Sequence, residues 1–199
     1  MGTPRRRPIR RIALATSLLA AALLAAPVVP TRAEAEVRVS NLAVFLNDYD
    51  VTVTMVLFDA LPSTLHESIH SGIAAHVRYH VELWQHSRLG VDRRLQARTV
   101  ERQLTYNPLT REYKVAPLKG EQREPLLTKD LREAQRVISE LRVGHLAPVG
   151  ALDKQELYYV RVRSDVSLGG VNSWFARMTG EAEETPWVQS SLLTPVRSQ

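Results

Sequence analysis

The sequence predicts a mainly β fold of the α+β kind, a sandwich-like antiparallel domain of about seven strands with two short helices. Three observations predict it. The segments Tyr49–Leu57, Val77–Leu83 and Tyr158–Val166 alternate apolar and polar residues with a period of two, the mark of strands with one buried face. Turn residues such as Asn47-Asp48 and Asn107-Pro108 separate neighbouring strands at hairpin spacing. One wet face per strand also argues against a parallel sheet covered on both sides.

Residues 1–35 precede this pattern. Arg5, Arg6, Arg7, Arg10 and Arg11 form a basic start, Ile12–Ala26 is an apolar run, and Pro27 and Pro30 break it. Ala33-Glu34-Ala35 then supplies small residues in A-x-A order. Basic, apolar and small in that sequence predict a secretory signal peptide, with residues 36–199 as one exported β-rich domain. The competing reading is an inner-membrane anchor, because Ile12–Thr31 is uncharged and just long enough to span. Ala13 stands where a twin-arginine signal usually has a bulky residue, so Arg10-Arg11 carries little weight.

Within the domain, Val37–Leu46 is expected as an edge strand that turns at Asn47-Asp48 into a strand over Tyr49–Leu57. Pro62 and Ser63 open a helix whose Leu61, Leu65 and Ile69 form one stripe, and Gly72 stops it. Val77, Tyr79, Val81 and Leu83 face one side of the next strand; His76, Arg78, His80 and Glu82 face the other. Leu95–Tyr106 is a long polar strand whose apolar phase slips, which predicts a β-bulge. Arg111–Leu118 returns with Tyr113 and Val115 inward. Thr128 is expected to cap a second helix, with Leu131, Ala134, Ile138 and Leu141 on one face and Gly144 at its end. Tyr158, Val160, Val162 and Val166 alternate with Tyr159, Arg161, Arg163 and Asp165. Ser167–Glu184 reads ambiguously, and Trp187–Leu193 closes the domain as a last strand.

The chain has 199 residues, 26 Lys+Arg, 21 Asp+Glu and no cysteine. Absent cysteine excludes disulfide scaffolds, thiolate zinc fingers and a cysteine nucleophile. The net charge of +5 sits wholly in the leader, and residues 36–199 balance at twenty bases and twenty acids. A neutral domain does not ask for nucleic acid. No serine lies in G-x-S-x-G or S-x-x-K, and Gly169-Gly170 has no lysine behind it, so serine-hydrolase and phosphate-loop chemistry find no support. No cofactor is implied.

One motif carries sharp chemistry. His66-Glu67-Ser68-Ile69-His70 is H-E-x-x-H, in which two histidines one turn apart grip zinc and the glutamate activates water. His76 could supply a third ligand. Against this zinc-hydrolase reading, Leu65 and Ile69 own the apolar stripe, the glycine stands at Gly72 rather than one place later, and His76 begins a strand. His76 and His80 lie about 13 Å apart along a strand, too far to chelate together. His86 and His145 read as lone loop histidines. Arg93, Arg94, Arg98 and Arg102 form a basic cluster, with Arg94, Arg98 and Arg102 expected on one strand face. It suits anionic lipid headgroups or an acidic partner, or a wet face paired to Glu82, Glu101 and Glu112.

Several segments together resemble a bacterial family of exported proteins, the domain of unknown function 4390, some of whose members are labelled proline-rich signal-peptide proteins. They are the Tyr49–Phe58 strand, Leu65 with Ser71-Gly72-Ile73 leading into Val77–Leu83, and Leu104-Thr105-Tyr106-Asn107-Pro108-Leu109-Thr110-Arg111-Glu112-Tyr113. Thr128-Lys129-Asp130 running to Ala134, and Tyr158–Arg163, complete the series. The closing Trp187-Val188-Gln189-Ser190-Ser191 matches only in part. The resemblance implies a periplasmic envelope protein without an established activity and carries over no catalytic or binding residue. It also implies genes beside a membrane sensor kinase. The expectation is therefore a non-enzymatic protein that binds an envelope partner, accessory to a membrane signalling protein. Its candidate anchors are the aromatics that core periodicity leaves over, namely Trp84, Trp174 and Phe175. The alternatives are the zinc hydrolase and a lipid or amphiphile carrier with an apolar cavity.

Overall fold

The computed structural model describes residues 37–47, 49–169 and 182–195. Residues 1–35, and Trp174 and Phe175, lie outside them. Two antiparallel sheets enclose one core. The smaller has strand order β1-β2-β7, from β1 (Arg38–Leu46), β2 (Val51–Phe58) and β7 (Glu140–Val143). The larger runs β10-β8-β3-β4-β5-β6, from β3 (Ala75–His86), β4 (Arg93–Asn107), β5 (Glu112–Lys119), β6 (Leu126–Thr128), β8 (Leu157–Leu168) and β10 (Val188–Gln189). A further short strand, β9 (Ala182–Glu184), pairs with the far end of β8. The sandwich-like, mainly β expectation holds.

Alternation decides which side of each strand is buried. Val51, Val53, Met55 and Leu57 of β2 point into the gap, as do Val77, Tyr79, Val81 and Leu83 of β3 and Val160, Val162 and Val166 of β8. These side chains join one cluster spanning both sheets. At roughly 1.5–3 kcal/mol per fully buried large apolar side chain, this cluster is the main favourable term in folding. The first hairpin turns on Asn47, whose Oδ1 accepts the backbone N–H of Tyr49 and of Asp50. Helix α1 (Ser63–His70) starts after Pro62, buries Leu65 and Ile69, and ends before Gly72, where φ is +95°.

Two expectations are corrected. The second helix, α2 (Leu131–Ser139), is shorter at both ends than its periodicity suggests. Thr128 is the last residue of β6, and Asp130 is the N-cap, its Oδ1 accepting Arg132 N–H at 2.9 Å. Helix then passes directly into strand at Glu140, and Leu141 packs from β7 rather than from the helix. The cause lies on the facing sheet. Arg102 donates to the carbonyls of Val137 (2.7 Å) and Glu140 (2.6 Å), and the Tyr79 hydroxyl donates to that of Ile138. Helix-end carbonyls are thereby satisfied by side chains from β3 and β4, and the cation sits at the negative end of the helix dipole.

The second correction concerns the arginines. The foreseen bulge does occur: β4 shifts register opposite Leu83/Trp84, leaving Leu95 as the extra residue. It breaks the single face expected for Arg94, Arg98 and Arg102. Arg94 turns outward to Glu82 at 2.9 Å, the one expected pairing that forms. Arg98 and Arg102 turn to the inner side. Arg102 is 2% exposed and gripped by Glu121 at 2.5 and 2.7 Å. Arg98 donates to the carbonyls of Gly144 and His145. Between them they bond carbonyls at the two ends of β7, Glu140 at its start and Gly144 and His145 just beyond it.

Candidate interaction surface on the outer sheet face

The even-numbered residues of β3 and their neighbours on β4 and β8 form the outer face of the large sheet. Register sets their order. Trp84 stands beside Arg94 on one side and Tyr159 on the other; Glu82 stands between Ala97 and Arg161; Arg78 stands between Glu101 and Asp165. Cross-strand neighbours at this spacing interact directly. At one end, Arg78 reaches Glu101 (3.3 Å) and Asp165 (3.4 Å), His80 reaches Asp165 (3.1 Å), and His76 lies 3.4 Å from Glu101. His76 and His80 are therefore tied into ion pairs on this face, and His76 is only 9% exposed. The His76 Nδ1 has no aligned hydrogen bond despite the nearby carboxylate.

At the other end, aromatic rings and arginines interleave. Trp84 stacks on Tyr159 with centroids 6.3 Å apart and planes 9° from parallel. The Arg161 guanidinium lies 4.1 Å over the Trp84 ring and 4.6 Å from that of Trp187, and Arg163 flanks Trp187 at 4.8 Å. Such contacts contribute about 0.5–1 kcal/mol each where exposed, and more when desolvated. Glu82 ties the group together. Its carboxylate accepts from Arg161 Nε (2.7 Å), Trp84 Nε1 (2.9 Å) and Arg94 (2.9 Å). Burial pushes the Glu82 carboxyl up, but these hydrogen bonds outweigh it and hold the group below its ordinary range. Asp92 accepts from Ser87 N–H and the Tyr159 hydroxyl, which hold its carboxyl low, while burial and Asp92 push the Tyr159 phenol up. Each of these shifts keeps its group in its ordinary state at neutral pH. That is the behaviour of a fixed scaffold, not of an acid or base poised near pH 7.

Trp84 is thus where its sequence position placed it, off the core face and half-buried. Trp187, 37% exposed, is the aromatic of this face that the sequence reading did not single out. It directly precedes the closing strand, and the pairing of Val188 with Val162 sets its ring beside Arg161 and Arg163.

The H-E-x-x-H residues fall elsewhere. His66 Nε2 bonds the carbonyl of Leu61 at 2.9 Å, and His70 Nε2 bonds the Tyr113 hydroxyl at 2.6 Å, beside Tyr106. His76 belongs to the outer sheet face. Glu67 is exposed on α1. Among the described residues, no three His, Asp or Glu side chains gather in a group that could hold a metal ion. His86 and His145 are paired rather than lone, His86 to Asp92 at 3.2 Å and His145 to Asp50.

These features define a class, a small antiparallel sandwich with one apolar sheet face and one aromatic and ionic face. Residues 34–184 match the model of the family described as a domain of unknown function, DUF4390, and the chain belongs to that family. No curated protein and no solved structure matches the chain.

Proposed function

We propose that this is an exported, non-enzymatic envelope protein that binds a protein partner through the outer face of its large sheet, as an accessory to a membrane signalling protein. The observation that carries the binding surface is Arg161 held between Trp84 and Trp187, with both indoles still reached by solvent. Tryptophan, tyrosine and arginine dominate the energetic centres of protein interfaces. Here Glu82 prearranges Trp84 and Arg161, and Asp92 fixes Tyr159, so little side-chain freedom is lost on docking. Residues 1–35 support export by their basic, apolar and A-x-A order. The neutral domain supports recognition by shape and apolar anchors over long-range steering.

The test is capture from an envelope fraction with the full chain as bait, beside thermal melting. Trp187→Ala should lose capture with melting unchanged, and Trp84→Ala should lose capture with a small drop in melting temperature. Capture that survives both substitutions removes this face from the proposal. The mass of the protein recovered from the envelope checks export. Cleavage after Ala35 or Ala33 is expected, and an intact N-terminus in the inner membrane would favour the anchor.

A further inference from the structure

We infer that the β3–β4 hairpin tip, Ser87–Asp92, docks on a bilayer bearing anionic headgroups. The tip carries Leu89 at 101% and Val91 at 93% relative exposure, two apolar side chains wholly in water. Arg88 and Arg93 flank them and are exposed. Among the described residues neither has a carboxylate partner, Arg93 donating only to the Gln85 amide at 2.8 Å. The next arginine, Arg94, is tied to Glu82.

The one acid of the tip is engaged at the base of the loop. Asp92 turns back to accept Ser87 N–H (2.8 Å) and the Tyr159 hydroxyl (2.8 Å), with His86 at 3.2 Å. These contacts close the base of the loop, so the apex is presented in a preset shape. The last row of sheet behind it runs Leu193, Tyr158, Gln85, Arg93 across four chain segments. In the turn before β8, exposed Asp153 and Lys154 carry opposite charges, and Glu156 shares a groove with Arg88 and Leu89. Glu156 is the acid that opposes an anionic surface here.

The shape favours a bilayer over a protein. Two side chains on a convex apex cannot cover the roughly 800 Å² per partner that a specific protein interface needs. A membrane surface surrounds a convex tip on all sides. Apolar apex and arginine collar also follow the layering of a bilayer, with acyl chains innermost and phosphates at the level of the cations.

The chain has no cysteine, so Leu89→Cys and Leu109→Cys each give a single labelling site. Leu109, 93% exposed, tips the turn at the other end of β4, about 50 Å away at 3.3 Å per residue. Each full-length variant carries an environment-sensitive fluorophore and is mixed with phosphatidylethanolamine–phosphatidylglycerol vesicles. The label at 89 should shift blue and be quenched by brominated acyl chains, and the label at 109 should not. Because both variants keep the leader, binding through residues 1–35 cannot by itself separate the two labels. Arg88→Glu with Arg93→Glu should raise the lipid concentration for half the shift at least tenfold, and Glu156→Gln should lower it. No shift at 89, an equal shift at 109, or an equal response on neutral phosphatidylcholine vesicles overturns the proposal. So does a label at 89 that stays water-like on vesicles and shifts only with envelope protein.

Discussion

The two faces of the large sheet come from the same strands and solve opposite problems. Inward, β3 presents Val77, Tyr79, Val81 and Leu83, all at 0% exposure. Outward, the residues between and after them are Arg78, His80, Glu82 and Trp84, linked across strands into ion pairs and ring stacks. The inner face is made mostly of groups that need no partner; its exceptions, Arg102, Arg98 and the Tyr79 hydroxyl, all reach backbone carbonyls, and Arg102 is the most buried of the cations. The outer face is made of groups that need specific partners. Each arginine shows the rule of its side. Arg102, cut off from water, has two carbonyls and a bidentate carboxylate. Arg161, half in water, has one carboxylate and two ring faces. A buried cation needs its full hydrogen-bond complement, whereas a half-exposed one can leave π surface and charge for a partner.

The largest expected effect tests the buried cation. Arg102→Met should cost about 3–5 kcal/mol, because Glu121 and two helix-end carbonyls lose their donor. Urea unfolding measures it. Adding Glu121→Gln should recover part of the loss; no recovery would mean that the carbonyl contacts, not the ion pair, hold the site.

Next come the apolar members of the inner face. Ile138→Ala and Leu141→Ala should each cost about 2–5 kcal/mol. Leu131→Ala should cost about 1 kcal/mol, because Leu131 is half-buried on α2. Equal losses at all three positions would contradict the partial burial of Leu131.

The outer face should respond to pH where the core does not. Glu82→Gln should cost about 1–2 kcal/mol at neutral pH, through weakened hydrogen bonds to cations. Glu82 and Asp92 are held low in the fold, so their contribution is complete above the ordinary carboxyl range near pH 4.3. It is lost as pH falls through their depressed folded values. Denaturant midpoints from pH 6 to pH 3 should fall less steeply in Glu82→Gln than in the parent.

The smallest stability effect sharpens the contrast. Trp187→Ala should change stability by less than about 1 kcal/mol while abolishing partner capture, since the ring is edge-placed and packed mainly on arginine side chains. A larger loss in a melting experiment would make Trp187 part of the structural lid of β8 instead.

Much of the architecture was legible in the residues. The first hairpin, α1, β3, the bulged β4, the β4–β5 turn and β8 follow from period-two alternation, helix spacing and turn chemistry. These patterns are local, and hydrophobic burial reads them without knowing the partner strand. Trp84 as an off-core aromatic was legible for the same reason. Trp187 was not, because an isolated tryptophan beside a two-residue strand has no period to violate.

What the sequence by itself determined is the side of each strand that is dry, since a strand exposes its residues alternately whatever it pairs with. The tertiary structure decided how each element ends and which charges meet. Leu131, Ala134, Ile138 and Leu141 keep helical spacing through Leu141, yet the helix stops at Ser139. Arg102 and Tyr79, far away in sequence, take its last carbonyls, and β2 pairs with Glu140–Val143 as a strand. Arg94 and Arg102 share a spacing and lie on opposite faces because one extra residue at Leu95 reverses the phase between them. Propensity acts over a few residues, whereas hydrogen bonds from another sheet act over any separation in sequence. Where the two disagreed, the buried, fully satisfied arrangement prevailed.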